Sequence, residues 1–393
     1  MPACYFIGAG LHTALGNGIA ENIATLAGGL VAPSTAVAHF AGRTQQLPYR
    51  TLRGAAPAGN DAAGEQARLD AVLAATIGSA LDEAGLTREQ RRRAGLFLGT
   101  SSFDIGVSEA EYREALLVDP TAIPLDRQPS ASLGQFALRI KARLGLAGPD
   151  FSFNTACTAS ANALLHADAM VRSGRLEHAV VVGVETFNVI TALGFQGLQL
   201  LSPGNMKPFD PQRDGLVLGE ACAALVLGPT ALRPGSFFLR GGANLCDTHS
   251  MSAANPDGST VALVMQRALQ SARLTPRDIA ALKAHGTASL LNDEAEAAGM
   301  RQLFGELPPL CAMKPWLGHT LGACGLNELL LFCAAAGQGF LIGTPGIAAD
   351  SDLGVRLNQH PRPLPAGNFM LNYFGFGGNN TSLIVTSARD AHP

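Results

Sequence analysis

The chain has 393 residues, of which 47% are hydrophobic and 15% charged. That balance fits a large buried core under a modest polar shell and excludes a disordered chain. A net charge of −3 gives no general attraction to nucleic acid.

The first part of the chain predicts strands at Ala3–Ile7, Gly95–Leu98, Phe151–Phe153, Ala179–Val184 and Ala221–Leu227. Helical patterns lie between them at Gly16–Ala27, Glu65–Ala84, Ser132–Leu144 and Thr158–Ser173. Ala55 to Gly64, rich in Ala and Gly, reads as a surface loop. Arg88, Arg91, Arg92 and Arg93 read as a solvated helix–loop surface rather than a docking patch. Arg233-Pro-Gly235 is the best candidate seam. Beyond it, strands are predicted at Ser236–Arg240, Ile279–Ala284, Leu310–Met313, Asn368–Asn372 and Ser382–Val385. Helices are predicted at Ser259–Ala272, Asn292–Leu303 and Leu321–Ala336. Several strands are continuous apolar runs, as expected when both faces are covered. Alternation of strand and helix argues for α/β layers, and the order is similar in the two parts without a residue-level repeat.

Leu329 to Ala348 is nearly uncharged and about the ~20 residues a spanning helix needs. Gly337, Gly339, Gly343, Pro345 and Gly346 break it, so a buried helix followed by a loop and strand is the better reading. The opening Met-Pro-Ala-Cys-Tyr-Phe-Ile-Gly lacks the basic and long apolar regions of a signal peptide. Seven cysteines are scattered singly, with no CxxC pair, which fits a reduced, cytoplasmic compartment.

Four segments break the apolar packing pattern. Phe151-Ser-Phe-Asn-Thr-Ala-Cys157 is a strand that delivers a cysteine to the first turn of a helix. Unpaired N–H groups and the positive end of the dipole there favour a thiolate, the nucleophilic form. Ala284-His285-Gly-Thr287 places a histidine where a strand ends. Lys314 and His319 precede Leu321-Gly-Ala-Cys-Gly325 and a helix. Asn372-Tyr-Phe-Gly-Phe-Gly-Gly-Asn-Asn380 is a glycine-rich turn whose backbone N–H groups can hold an oxyanion. Each alone is more often structural than functional; one cysteine with two distant histidines points to acyl transfer assembled by the fold. The other histidines, His12, His39, His166, His178, His249, His360 and His392, lack such a setting, and no ligands cluster in sequence at metal spacing.

On these residues the chain resembles the β-ketoacyl-acyl carrier protein synthases, condensing enzymes of the thiolase-like superfamily. The resemblance rests on Thr-Ala-Cys157, on His285-Gly-Thr with Asp293 and Glu296, and on Lys314, Gly318-His319, Gly322-Ala-Cys-Gly325 and Glu328. Asn372, Phe374-Gly-Phe376-Gly-Gly378 and Asn380 complete it, with Pro208-Phe-Asp-Pro-Gln-Arg-Asp214-Gly and Leu218-Gly-Glu220 as a mid-chain signature. It implies a five-layered αβαβα sandwich of two similar halves, 1–232 with the nucleophile and 233–393 with both histidines. It implies decarboxylative Claisen condensation of malonyl-carrier protein with an acyl chain held as a thioester on Cys157. By the same resemblance the N–H groups of Cys157 and Phe376 form an oxyanion hole, and His285 and His319 stabilise the enolate. Lys314 pairs with Glu328. Phe374, Phe376 and Gly377 form a gate, and Thr287 and Ser289 contact pantetheine.

No metal or diffusible cofactor is implied, since substrates ride on the phosphopantetheine of an acyl carrier protein. The implied partners are that carrier and a second chain, in a homodimer or in a heterodimer with a related synthase or chain-length-factor subunit, joined near Ala179–Val184. Neither nucleic acid nor a membrane span is expected. The sequence departs from the common pattern at Ala288, Leu290-Leu-Asn292, Ala312-Met313, Pro315, Cys324, Tyr373, Asn379 and Ala221-Cys222. These bear on substrate range and point to a specialised polyene or polyketide-type member. A partner subunit that shapes an acyl tunnel without condensing is the main alternative, and the retained Cys157 argues against it. A thiolase would use a second cysteine where this chain has Phe-Gly-Phe-Gly-Gly.

Overall fold

The computed structural model describes residues 4–387, apart from 30–31, 41–42, 56–60, 120–132, 233–234, 252 and 348–350. Arg233-Pro234 of the candidate seam and residues 56–60 of the Ala55–Gly64 loop therefore lie outside the described residues, and Ala62–Gly64 already belong to a helix capped by Asp61.

Ten strands form one continuous path: β1 (Tyr5–Thr13), β2 (Gly95–Gly99), β3 (Asp150–Phe153), β4 (Ala179–Glu185), β5 (Ala221–Gly228), β6 (Phe237–Cys246), β7 (Ile279–Ala284), β8 (Leu310–Ala312), β9 (Asn368–Phe374) and β10 (Asn379–Ser387). Their spatial order is β8-β7-β9-β10-β6-β1-β5-β4-β2-β3. Read outward from the centre, each half gives the same sequence of first, fifth, fourth, second and third strand. The halves meet where β1 pairs with β6, at the single register Tyr5↔Phe238. Each half is thus its own five-stranded sheet, and the two touch at one corner.

Five helices build the layers: α1 (Ala62–Ala84), α2 (Ala159–Arg172), α3 (Ser259–Ala272), α4 (Leu290–Phe304) and α5 (Cys324–Gly337). α1 covers β1 and β5 on one outer face, and α3 covers β6 and β10 on the other, with α4 beside it. α2 and α5 lie between the sheets and touch strands of both halves. The result is the αβαβα stack. One apolar cluster fills the middle around α2 and α5, and one lies outside each sheet. Val180, Val181 and Val182 are buried on both faces, which is why β4 reads as an unbroken apolar run.

β1 and β6 both run longer than their apolar cores. Each contains glycines and a register shift, between Phe6 and Gly8 and between Leu239 and Gly241. A Cβ on Gly8 would meet the Ala80 carbonyl oxygen at 2.1 Å, and one on Gly241 would meet Ser271 Oγ at 2.6 Å. Both halves therefore use the same device, glycine at a bulge, to seat the outer helix close to its strand. Composition did not mark the hairpin Ser34–Phe40/Arg43–Arg50 or the helices Ile105–Val118 and Val189–Gly197. The Arg88–Arg93 segment is a short helix with no buried residue, as expected of a solvated face.

Ala179–Val184 is interior, paired with β2 on one side and β5 on the other, so it offers no edge for a second chain. The open edge is β3, where Phe151 is exposed. The opposite edge, β8, is capped: Asn358 N–H donates to the Leu310 carbonyl at 2.7 Å, and Thr344 Oγ1 accepts from Ala312 N–H at 2.8 Å. The apolar stretch from Leu329 divides into the end of α5, a turn and a short strand; among the described residues no helix is long and apolar enough to cross a membrane. All seven cysteines are free thiols.

A methyl group added at Gly325 would lie 2.3 Å from Ala161 N, where α2 and α5 abut. Gly325→Ala is expected to lower the denaturant midpoint, by about 1–3 kcal/mol of stability. Gly78→Ala, in an open position on α1, is expected to raise it by about 0.5–1 kcal/mol. Equal midpoints for the two variants would contradict this packing.

Candidate active site

β3 ends at Phe153, and a 3₁₀ turn, Ala156–Thr158, leads into α2. Ala156 sits at φ 50°, a left-handed corner that costs a non-glycine residue of the order of 1–3 kcal/mol. The corner lifts Cys157 onto the start of α2. The second half repeats it: Leu321, at φ 44°, opens the 3₁₀ turn Leu321–Ala323 ahead of α5. The residue matching Cys157 there is Gly322, whose Cβ would fall 2.5 Å from Ser101 N. One half has room for a nucleophile; the other must leave that place empty.

His319 Nε2 lies 3.1 Å from Cys157 Sγ, and Leu321 N–H approaches its Nδ1 at 3.3 Å. His285 follows β7, its ring centroid 5.4 Å from that of His319. Its loop is fixed from below: Glu296 accepts from the N–H groups of His285 and Gly286 at 2.7 and 2.8 Å. Asp293 accepts from Thr287 N–H at 3.1 Å and Phe209 N–H at 2.8 Å. Burial raises both carboxyls, Glu296 to about 7 and Asp293 to about 6. The motif's two acidic residues thus build a backbone cradle and do not face substrate.

Behind His285, Lys314 Nζ lies 3.2 Å from Nδ1 and donates to Glu328 Oε1 at 2.9 Å. An ammonium can only donate, so neutral His285 carries its proton on Nε2. Leu321 N–H gives His319 the same tautomer. Burial and the Lys314 charge hold both imidazoles well below their ordinary range. Burial pulls Lys314 itself down, but the charge and hydrogen bond of Glu328, with the Cys324 and Cys157 sulfurs, hold the ammonium above its usual value. A second lysine, Lys283, donates to the other oxygen of Glu328.

Burial drives the Cys157 thiol up to about 11, against the Lys314 charge and the N–H groups of Phe376 and Cys157, which pull it down. The expectation of a thiolate at rest is therefore corrected: desolvation wins over the helix end, and the resting group is a thiol. The same two N–H groups point toward the sulfur.

The turn after β9 packs on the nucleophile. A Cβ at Gly375 would lie 3.1 Å from Cys157 N, and Gly378, at φ 73°, has no space for one against the Asp247 carbonyl, 1.8 Å away. Asp247 N–H donates to the Gly378 carbonyl at 2.8 Å and Gly377 N–H to Met251 at 2.7 Å. A cavity of about 300 Å³ opens here, walled by Cys157, His285, His319, Phe374, Phe376, Thr287 and Ser289. Thr287 Oγ1 and Ser289 Oγ lie 2.9 Å apart. Of the anticipated gate, Gly377 alone does not wall the cavity; Lys314 and Glu328 stand behind it.

Sequence reasoning missed two features of this site, Phe195 and Lys283. Phe195 stacks on Phe376 with ring centroids 5.6 Å apart and planes at 12°. Its helix is capped by Asn188, accepting from Thr191 N–H at 2.9 Å. Leu290 and Leu291, among the departures noted in the sequence, line the mouth and are exposed. Glu220, in the mid-chain signature, binds Arg68 at 2.7 Å outside the cavity, whereas Asp214 reaches its wall.

Cys157, His285 and His319 bring their ligating atoms within 4.8 Å of one another, a grouping no sequence spacing announced. That donor set would suit a soft divalent cation. Two lysine ammonium groups against one carboxylate directly behind it oppose one.

Residues 50–231 match the model of the β-ketoacyl synthase N-terminal domain, and residues 237–347 match its C-terminal domain. The chain is 30% identical over 329 residues to nodulation protein E of Rhizobium leguminosarum bv. trifolii, covering 80% of each. It is 28% identical over 326 residues to 3-oxoacyl-[acyl-carrier-protein] synthase 2 of Vibrio harveyi, covering 78% of each. Among solved structures, the ketosynthase ApeO in complex with its chain length factor ApeC from Xenorhabdus doucetiae aligns at TM-score 0.84 and 27% identity, covering 98% of both chains. A β-ketoacyl synthase from Burkholderia phymatum aligns at TM-score 0.83 and 26% identity, covering 98% of this chain and 100% of that one. On these matches and this architecture, the chain belongs to the β-ketoacyl synthase family of condensing enzymes.

Proposed function

We propose that Cys157, His285 and His319 carry a decarboxylative condensation between an acyl thioester and malonyl-carrier protein. The observation that carries this reading is one sulfur and two imidazoles, from different halves, facing a single 300 Å³ cavity with 3.1 Å between Cys157 Sγ and His319 Nε2. In loading, the thiolate of Cys157 attacks the acyl carbonyl, and its proton ends on the departing pantetheine sulfur. The carbonyl oxygen takes charge between the N–H groups of Cys157 and Phe376; losing one such donor costs about 3–4 kcal/mol of barrier. In condensation, the malonyl carboxylate leaves as carbon dioxide and its electron pair forms an enolate. The Nε2–H groups of His285 and His319 hold the enolate oxygen. The enolate carbon attacks the thioester, the C–S bond breaks, and the Cys157 thiolate regains a proton from solvent. Lys314 and Glu328 position His285. Phe374 and Phe376 gate the acyl route, and Thr287 and Ser289 receive pantetheine.

The reaction needs no metal or diffusible cofactor, because decarboxylation drives it. The reading makes an acyl carrier protein the substrate partner and the cytoplasm the site of action. It also supplies a use for the open β3 edge: strand pairing with a second copy or a related chain. The similar ketosynthase complexed with its chain length factor supports a paired assembly. The departures at Leu290, Leu291 and Tyr373 favour a specialised acyl substrate, and the halves 1–232 and 233–393 divide the chemistry between nucleophile and imidazoles.

Incubation with acyl-carrier protein is expected to add acyl mass to Cys157, read by intact mass spectrometry and absent in Cys157→Ala. His285→Ala and His319→Ala should still load, while carbon dioxide release from malonyl-carrier protein drops by roughly a hundredfold or more. Normal release by both would refute the enolate role, and intact protein with no adduct would favour a non-condensing partner subunit.

The pH response separates the two steps. Thiolate is the minority form below a thiol raised to about 11, so loading should rise with pH from neutrality upward. The imidazoles are held low and stay neutral, so condensation by pre-acylated protein should be flat from about pH 6 to 8. Single-turnover condensation that falls with a midpoint near an ordinary histidine value would contradict that environment.

A further inference from the structure

Glu328 is fully buried and holds two lysines, one on each carboxylate oxygen: Lys314 at 2.9 Å on Oε1 and Lys283 on Oε2. Both lysines are 0% exposed, so no water can stand in for either. A Lys314–Glu328 pair alone would be neutral; burial and the Lys314 charge lower Lys283 while Glu328 opposes them, and with its proton kept Lys283 gives the cluster two positive charges against one negative. The Lys283 ammonium also lies 3.7 Å from the centroid of the Tyr373 ring. The Tyr373 hydroxyl has no hydrogen-bond partner among the described residues, so what the residue offers the cluster is its ring face.

We propose that Lys283 is a positioning residue of the condensing step: it pins Glu328 through the second oxygen, keeps Lys314 directed at His285, and leaves one uncompensated positive charge behind the two imidazoles. This rests on the condensation reading given above. The charge serves the step in which the malonyl carboxylate becomes an enolate, because anionic charge then develops in front of the imidazoles with no solvent behind them. Without Lys283, Oε2 loses its ammonium partner in a dry site, and Lys314 can follow the carboxylate away from His285 Nδ1. Loading gains less from Lys283, because its oxyanion lies between the N–H groups of Cys157 and Phe376.

The groups facing Lys283 are few. Glu328 and Cys324 come from α5, Lys314 from the helix Lys314–Leu317, and Tyr373 from β9. Cys311 on β8 and Glu296 on α4 feel its charge, as do His285 and His319. Glu328 and Lys314 dominate, since the thiols are pushed up by burial and stay neutral.

The test uses the full chain and separates three readouts: acyl loading of Cys157 by mass spectrometry, carbon dioxide release by pre-acylated protein, and the pH profile of that release from about pH 5 to 9. Lys283→Met is expected to load within about threefold of the parent and to release carbon dioxide about tenfold more slowly. The acid limb of its release should move to higher pH, because removing a positive charge makes the imidazoles easier to protonate. Tyr373→Phe keeps the ring and should match the parent; Tyr373→Leu should give a weaker form of the Lys283→Met pattern. If Lys283→Met does not fold, Tyr373→Leu decides. Equal losses in loading and release, or an acid limb that does not move, would overturn the positioning role. A parent protein that loads no acyl chain would overturn the condensation reading itself.

Discussion

The site depends on the end-to-end meeting of α2 and α5 between the two sheets. Leu326 N–H donates to Ser160 Oγ at 3.1 Å, and the Cys324 thiol donates to the Cys157 carbonyl at 3.0 Å. Gly325 and Gly183 remove the side chains that would hold this junction apart. Each helix brings a 3₁₀ turn with a left-handed first residue, so the two starts point the same way relative to their own halves. The consequence is a shared corner where one half contributes the sulfur and the other both imidazoles. The positive ends of two 14-residue helices meet beside it.

Electrostatics at that corner is a contest between desolvation and arranged charge. Burial penalises every ionised form, which is why the thiol rises and the imidazoles fall. Taken alone, that would leave an inert pocket. The opposing contributions are directional: backbone N–H groups of Cys157 and Phe376, the Lys314 ammonium, and the Nε2–H groups fixed in tautomer from behind. They act little on a neutral resting site and strongly on an anion formed within it. Stabilisation confined to the charged, reacting species is what lowers a barrier rather than merely tightening binding. A buried lysine pair sharing one carboxylate carries a desolvation cost of several kcal/mol, so such an arrangement adds little to folding and belongs to the chemistry.

Much of this was legible in the chain because the signals were local. Apolar runs gave the strands, since both faces of each sheet are covered. Cys157, His285 and His319 stood out because glycines and polar residues interrupt those runs where the chain turns into the site. What escaped was carried by packing. Gly8, Gly10 and Gly241 hide the continuation of the first strand of each half past Ile7 and Arg240, because there the outer helix stands where a side chain would. Phe195 carries no motif and acquires meaning only through the Phe376 ring against it. Lys283 looked like an ordinary polar residue in a strand; only the folded chain reveals that it is fully enclosed. The interior position of Ala179–Val184 follows from strand order, which apolar content cannot supply.

Five of the departures from the common family pattern, scattered in sequence, gather in space. Tyr373 and Cys324 lie around the Lys283–Glu328–Lys314 cluster, Tyr373 under the ammonium and Cys324 against the nucleophile's carbonyl. Leu290, Leu291 and Asn292 lie at the cavity mouth. Between these two groups the sulfur, the imidazoles and the N–H donors are intact. A chain drifting toward a purely structural role would be free to fill the cavity or lose the strained corner at Ala156, since neither is needed for packing. Here the strain and the empty space are both kept, while five of the departures fall at the charge behind the imidazoles and at the apolar entry in front of them. Those are the two places where a condensing site can alter what it accepts and how hard it drives decarboxylation without touching the atoms that react.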